Sequence, residues 1–355
     1  VERYDAVHRS FDESEVRMPP KRQRPTLRDV ATRVGVSETA ASFALNGKPG
    51  VSEETRRRIL EVAEELQWTP NHAAQILSGA RSSMTIGLAV ARSVQDVGSE
   101  LFFLRLISGM HTVLSGHRYG LLFQVVESVE EELELYRRWA NEKRVDGIIL
   151  VDLRIDDPRP RAVAELDIPS IVAGGPDPAG TIPSVSIDDT AAMQTVMQYL
   201  STRGHHRVAY VSGSASLLHV HRRAEAFSQA GRDYGLEAAD VLQTDFSAAA
   251  SARATQRLLA TNGRPTAVIY DNEVLAVAGM REIQAAGLQI PADVAVVTCE
   301  DTPICGVVQP ALTALYRDTW NFGADVAGHL LNLIEGNPDT GAVEQVPELV
   351  VRDST

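Results

Sequence analysis

Residues 26–46, TLRDVATRVGVSETAASFALN, decide how the front of this chain folds. Thr26 stands where a helix cap belongs, and Asp29 three positions later completes a capping box of modest strength. Leu27, Val30, Ala31 and Val34 then recur at helical spacing, which gives one apolar stripe. Gly35 ends that helix, and Ser37 caps a second one running through Glu38 to Asn46. Two short helices joined by a tight glycine turn describe a helix-turn-helix. In the second helix Ala41, Ala44 and Leu45 share the inward face, while Glu38, Thr39, Ser42, Phe43 and Asn46 share the other.

That outer face is the candidate DNA reader. A recognition helix reads base edges in the major groove mainly from its first residues, which puts Glu38 and Thr39 first and Phe43 next. Glu38 can accept from a cytosine amino group and Phe43 can touch a thymine methyl. The competing structural roles are stabilisation of the helix start by Glu38 and core packing by Phe43. Downstream, Ser52 caps a third helix over Glu53 to Leu66, with Ile59, Val62, Ala63 and Leu66 inward, and Trp68 closes the small core. Pro70 and Gly79 then bracket a segment of two helical turns, too short to be stable alone.

Charge supports the division. The 355 residues carry a net charge of −13, unevenly distributed. Residues 17–81 hold 11 Lys+Arg against 7 Asp+Glu, while residues 82–355 hold 21 against 35. Phosphate contacts require local positive charge, and an acidic body keeps the rest of the chain off the duplex. No apolar run approaches the ~20 residues that span a bilayer. The first 25 residues hold no signal-peptide stretch, so a cytoplasmic location is expected. Cys299 and Cys305 supply neither a disulfide scaffold nor a Cys-rich zinc site. His205-His206 and His219-Val220-His221 read as turn-capping or cleft-lining residues in preference to a metal pair. Walker, Gly-x-Gly-x-x-Gly, Gly-x-Ser-x-Gly and His-Glu-x-x-His signatures are absent, so neither catalysis nor a cofactor is expected.

Thr26-Leu27-Arg28-Asp29-Val30-Ala31, Gly35-Val36-Ser37, Ser42, Leu45-Asn46, Val51-Ser52, Thr55-Arg56 and Pro70-Asn71 followed by Leu77 together resemble the LacI/GalR family of bacterial transcription regulators. The resemblance implies that the segment after Pro70 is a hinge helix that folds on operator DNA, where Leu77 wedges between base steps beside Asn71, His72 and Ala74. It adds Thr26, Ser37 and Thr55 to the candidate DNA contacts. Ala40-Ala41 stands where the family usually has Thr-Val, so one phosphate-binding hydroxyl is missing, and Glu38 and Phe43 fall at variable base-reading positions.

Beyond Arg81, strand-like and helix-like segments alternate, which implies parallel α/β sheets. Expected strands are 85–90, 119–126, 145–151, 170–173, 207–212, 241–245, 267–270 and 294–299, with later segments at 312–318 and 348–352 crossing back between lobes. Helical patterns fall between them, for example over 128–141, 188–203, 220–234 and 274–286. This body resembles the family's two-lobed, periplasmic-binding-protein-like core. The expected architecture is therefore an all-α helix-turn-helix domain with a hinge helix, joined to a two-lobed α/β effector domain. Its parts are a flexible extension (1–24), the DNA-binding domain (25–69), the hinge and linker (70–82) and the effector-binding and dimerisation domain (83–355).

Carried over residue by residue, the resemblance puts Phe102, Arg223, Phe246, Asn272, Glu273 and Glu300 in the effector cleft. Arg223 offers a forked donor, the carboxylates accept from hydroxyls or amines, and the aromatics stack on a sugar or base. Asn272-Glu273 replaces the family's frequent Asn-Asp, and Glu100-Leu101 precedes Phe102-Phe103 where relatives show Asn-Pro, so the cleft is expected to be remodelled. The implied function is a homodimeric repressor of palindromic double-stranded operator DNA, controlled by a small polar effector such as a sugar or nucleoside. Control by a protein partner is the alternative, and a solute-binding protein for transport is a weaker one. Replacing the wedge, Leu77→Ala, is expected to weaken operator binding and reduce DNA bending in a circular-permutation gel assay; unchanged bending would refute the wedge assignment.

Overall fold

The computed structural model describes residues 25–68, 82–93, 97–98, 100–337 and 344–355. The chain divides into two compact units, Val1–Arg81 and Ser82–Thr355.

In the first unit three helices, α1 (Leu27–Val34), α2 (Glu38–Leu45) and α3 (Glu53–Glu65), pack about a core of Val30, Ala31, Val34, Ala41, Ala44, Ile59 and Ala63. Each helix begins on a hydroxyl. Thr26 and Asp29 form the reciprocal capping box, and Ser37 and Ser52 accept from the N–H groups of Ala40 and Thr55. These local bonds satisfy donors that a helix start otherwise leaves open. Gly35 closes α1 at φ 79°, a left-handed conformation that favours glycine. The helix ends are tied by α3: Arg56 donates to the carbonyls of Ala44 (2.9 Å) and Lys48 (2.7 Å), and Arg58 to that of Val34 (3.3 Å). Helix α2 stops at Leu45, one residue short of the sequence expectation, because Asn46 turns its side chain back onto the Ser42 carbonyl.

The second unit holds two six-stranded sheets. The first lobe runs β1 (Thr85–Ala91), α4 (Leu101–Gly116), β2 (Gly120–Val126), α5 (Val129–Asn141), β3 (Gly147–Leu150), α6 (Arg159–Ala164), β4 (Ser170–Gly174) and β5 (Ser184–Ile187). The chain then enters the second lobe through α7 (Asp189–Thr202), β6 (Arg207–Ser212), α8 (Leu218–Asp233), β7 (Glu237–Gln243), α9 (Ala248–Leu259), β8 (Ala267–Tyr270), α10 (Glu273–Ala285), β9 (Ala295–Thr298) and β10 (Thr313–Tyr316). It crosses back with α11 (Thr319–Ile334) and β11 (Glu344–Gln345), and returns with β12 (Glu348–Val350). The sheet orders are β11-β5-β4-β3-β1-β2 and β12-β10-β9-β8-β6-β7. Every described pairing is parallel except β10 with β12. Nearly continuous apolar strands such as Ala267–Tyr270 and Ala295–Thr298 follow from burial on both faces.

Two details depart from the sequence reading. Strands β5 and β11 escaped it because four and two residues carry too little periodicity. Strand β7 lies at Glu237–Gln243, upstream of the expected 241–245, since its pairing with β6 reaches back to Glu237 and a register shift absorbs the irregularity. Among the described residues no helix is long and apolar enough to cross a membrane.

Helices α4 and α11 meet backbone to backbone over the core of the first lobe. A methyl at Gly109 would overlap the Trp320 carbonyl oxygen, and one at Gly323 would overlap that of Leu106. Overpacking of this kind costs about 1–3 kcal/mol. Gly109→Ala is therefore expected to lower the urea midpoint of the full chain, while Gly116→Ala, which has nothing within 4 Å, is expected to leave it near the wild-type value.

Candidate functional site

On the first unit, the outer face of α2 is open to solvent. Glu38, Thr39 and Asn46 are exposed, and Phe43 keeps 37% of its surface, with the Lys48 ammonium 6.0 Å from its ring. The core-packing role for Phe43 is thereby excluded. Glu38 lies 4.0 Å from the Arg28 guanidinium. Thr26 and Ser37 are exposed caps, Ser42 is half-buried beneath the Asn46 amide, and the Thr55 hydroxyl sits 2.8 Å from that of Ser52. Asn71, His72, Ala74 and Leu77 lie outside the described residues.

In the second unit, the carboxyl ends of β1, β3, β4, β5, β8, β9 and β10 converge on a cleft with about 80 Å³ of solvent-accessible space. Such crevices at the strand ends of α/β sheets are where ligands bind. Phe102, Arg223, Phe246, Asn272, Glu273 and Glu300 all line it, so the structure brings the six candidates together. It also adds Arg92, Glu100, Asp152, Asp189, His219, Arg222, Asp271 and Arg317.

The floor is an ion triad. Arg223 on α8 gives Nε to Asp189 and Nη1 to Asp271, each at 2.7 Å. Asp271 also accepts from the Tyr210 hydroxyl (2.7 Å) and the Gly213 N–H (2.8 Å). Burial would raise the Asp271 carboxyl, but Arg223, His219 and these donors hold it below its usual range. Burial likewise opposes the Arg223 charge, and the two carboxylates outweigh it. His219 is pushed down by burial and by the nearby Arg223. The expected fork of Arg223 is thus largely engaged by the protein itself.

Two arginines cross the cleft. Arg92, following β1, pairs with Glu100 (2.8 Å) and Asp152 (2.6 Å) and sits 4.9 Å over the ring of Phe246 from the other lobe. Arg317, following β10, pairs with Glu300 and lies 5.2 Å over the Phe102 ring. The aromatic faces expected to stack on a ligand are therefore covered by guanidinium groups, which bind aromatic faces well. Phe246 reaches this place through a left-handed backbone, φ 65°, and its ring fills the space that any side chain at position 213 would need. Asn272 caps α10 by accepting from the Leu275 N–H (3.0 Å), so its oxygen is engaged. Two glutamates sit uneasily. Burial, partly offset by Arg92, pushes Glu100 up to about 7, and burial with repulsion from Glu300 does the same to Glu273, again to about 7. Among the described residues no group of three or more His, Cys, Asp or Glu side chains could hold a metal ion.

Residues 26–71 match the model of bacterial regulatory proteins, lacI family, and residues 197–355 match a periplasmic binding protein-like domain. The HTH-type transcriptional regulator AglR of Rhizobium meliloti is 30% identical over 341 residues, 93% of this chain and 94% of that protein. A LacI family transcriptional regulator from Bifidobacterium animalis superposes with TM-score 0.71 at 31% identity, over 78% of this chain and 98% of that one. The chain belongs to the LacI family. The solved complex of the regulator CelR with cellobiose is also similar, with TM-score 0.70 and 28% identity over 94% of this chain and all of that one.

Within the LacI family pattern, sequence reasoning found the cleft residues attached to recognisable phrases and missed those that are not. Arg92, Asp152, Asp271 and Arg317 stand just past strand ends, in loops without a motif of their own. The usable signal was positional: a charged residue directly after several of the predicted parallel strands, as at Asp152, Asp271 and Glu300. Because Arg223 separates two buried carboxylates, Arg223→Ala leaves both unpaired and is expected to cost about 3–5 kcal/mol of stability. Urea unfolding of the full chain measures this, and a loss below about 1 kcal/mol would show that water reaches the triad.

Proposed function

We propose that this chain is an operator-binding transcriptional repressor whose affinity for DNA is set by a small polar effector held between the lobes of its α/β unit. The observation that carries this reading is the presence, in one chain, of a helix-turn-helix with a solvent-facing second helix and of a two-sheet unit with a charged cleft at its strand ends. Relatives of nearly the same length are HTH-type regulators, and one of them is solved with cellobiose, which supports a sugar or similarly polar ligand.

The parts divide as follows. Residues 25–69 grip the major groove, with Glu38, Thr39 and Phe43 facing bases and Thr26, Ser37, Ser42, Asn46 and Thr55 placing the backbone. Residues 70–82 form the hinge, with Leu77 as wedge and Asn71, His72 and Ala74 beside it. Residues 83–355 hold the effector and pair two copies, since two-fold proteins read palindromic half-sites. Phe102, Arg223, Phe246, Asn272, Glu273 and Glu300 contact the effector, which must compete with the guanidinium groups of Arg92 and Arg317 for the aromatic faces. The chain performs no catalysis in this reading. An effector that prefers one lobe arrangement shifts the population and with it the spacing of the paired hinges.

Selection of bound sites from random duplexes by the full-length protein, with and without fractionated metabolite pools, tests the proposal. A palindromic consensus whose recovery changes with at least one pool is expected. Binding without sequence preference at near-physiological ionic strength under every condition would overturn it, because phosphate contacts alone give only non-specific affinity.

A further inference from the structure

The cleft contains one acid that makes no ion pair among the described residues. Glu100 and Asp152 share Arg92, Asp189 and Asp271 share Arg223, and Glu300 has Arg317. Arg222 turns instead to the Pro176 carbonyl, 3.0 Å away. Glu273 has no ion-pair partner among the described residues, although only 7% of it is exposed and it lines the cleft. Its carboxylate bonds to its own backbone N–H. It stands at the start of α10, close enough to Glu300 for the two to repel, and both repel Glu100 from the first lobe.

Three glutamates from both lobes therefore face one space, yet they do not approach closely enough to coordinate a metal ion, since no such group of ligands exists among the described residues. The gap suits a larger cation. A neutral hydroxyl donates one hydrogen bond and leaves the charge uncompensated in a site shielded from water, where an unpaired ion is costly. An ammonium supplies the missing charge and three donors, one for each carboxylate. Arg317 shows the same chemistry in place, with a guanidinium held between Glu300 and the Phe102 ring.

Resting on the effector reading above, we propose that the effector is an organic ammonium compound of the amino-sugar type, and that its charged nitrogen docks on Glu273 with Glu300 and Glu100 around it. The hydroxyl groups of such a molecule meet the remaining polar lining, and its ammonium answers the acid that the protein leaves unmatched. In the absence of ligand Glu273 relieves the conflict by taking up a proton as pH falls through about 7, the value to which burial and Glu300 push its carboxyl against the opposing pull of Arg317 and Arg105.

Thermal unfolding of the full-length protein at pH 7, where the amino-sugar nitrogen is largely protonated, tests this with matched probes at about 10 mM: D-glucosamine beside D-glucose, D-galactosamine beside D-galactose, and putrescine beside 1,4-butanediol. At least one amine is expected to raise the melting temperature by several degrees more than its neutral partner, with the difference lost in Glu273→Gln and retained in reduced form in Glu273→Asp. Equal shifts from amine and neutral partner, a difference that survives Glu273→Gln, or no shift from any amine would each overturn the ligand class. A ligand-free arm removes dependence on the probes. A carboxyl whose folded pKa lies above its unfolded value loses stability as pH rises from about 4.5 to 7, so Glu273→Gln should melt higher than wild type at pH 8 and equally at pH 4. Identical pH profiles for the two proteins would contradict the unmatched acid. If a neutral sugar releases operator DNA while the amines do nothing, this inference fails and the effector reading stands; if no metabolite alters operator binding, that reading itself fails.

Discussion

Two carboxylates buried at opposite sides of one guanidinium govern the α/β unit. Asp189 opens the helix by which the chain leaves the first sheet, Asp271 ends a central strand of the second, and Arg223 joins them at 2.7 Å each. Removing charges from water is expensive, and the arrangement persists only because Tyr210 and the Gly213 N–H complete the hydrogen bonding of Asp271. The triad thus fixes the first crossing between lobes and the shape of the cleft floor together. Above it, Arg92 pairs with Glu100 and Asp152 and Arg317 with Glu300, while both guanidinium groups reach across to aromatic rings on the opposite lobe.

That architecture makes the cleft a balance of charges more than an apolar pocket. The arginines occupy the aromatic faces, so a ligand enters by exchanging one set of polar contacts for another, and its affinity depends on what it offers that the protein lacks. Glu273 reaches into this space without an ion-pair partner among the described residues. Chemical selectivity and lobe closure are then properties of the same few side chains.

The two units differed in how much of them the sequence disclosed, for a physical reason. Helix caps are local: Thr26, Ser37 and Ser52 each bond within three residues of themselves, so the helix-turn-helix and its outward face were legible from spacing alone. Strands with continuous burial, such as Ala267–Tyr270, announced themselves equally well. The short β5 and β11 did not, because their identity comes from neighbours far along the chain. The cleft candidates Phe102, Arg223, Phe246, Asn272, Glu273 and Glu300 came from family phrases, and the structure gathers them in one place. What the phrases could not show is that Arg223 is engaged on both sides and that Arg92 and Arg317 cover the rings. Those facts are set by long-range approach of strand ends, which leaves no periodic trace in sequence.

In the proposed function, occupancy of the cleft and grip on DNA are energetically coupled in one chain. Linkage requires the coupling to be reciprocal, so the effector must bind with different affinity when operator is present. Calorimetric titration of the effector into full-length protein, free and saturated with its selected operator, measures this directly. Coupling of this kind gives dissociation constants that differ by about tenfold or more, on the order of 1.4 kcal/mol; equal constants in the two titrations would rule it out.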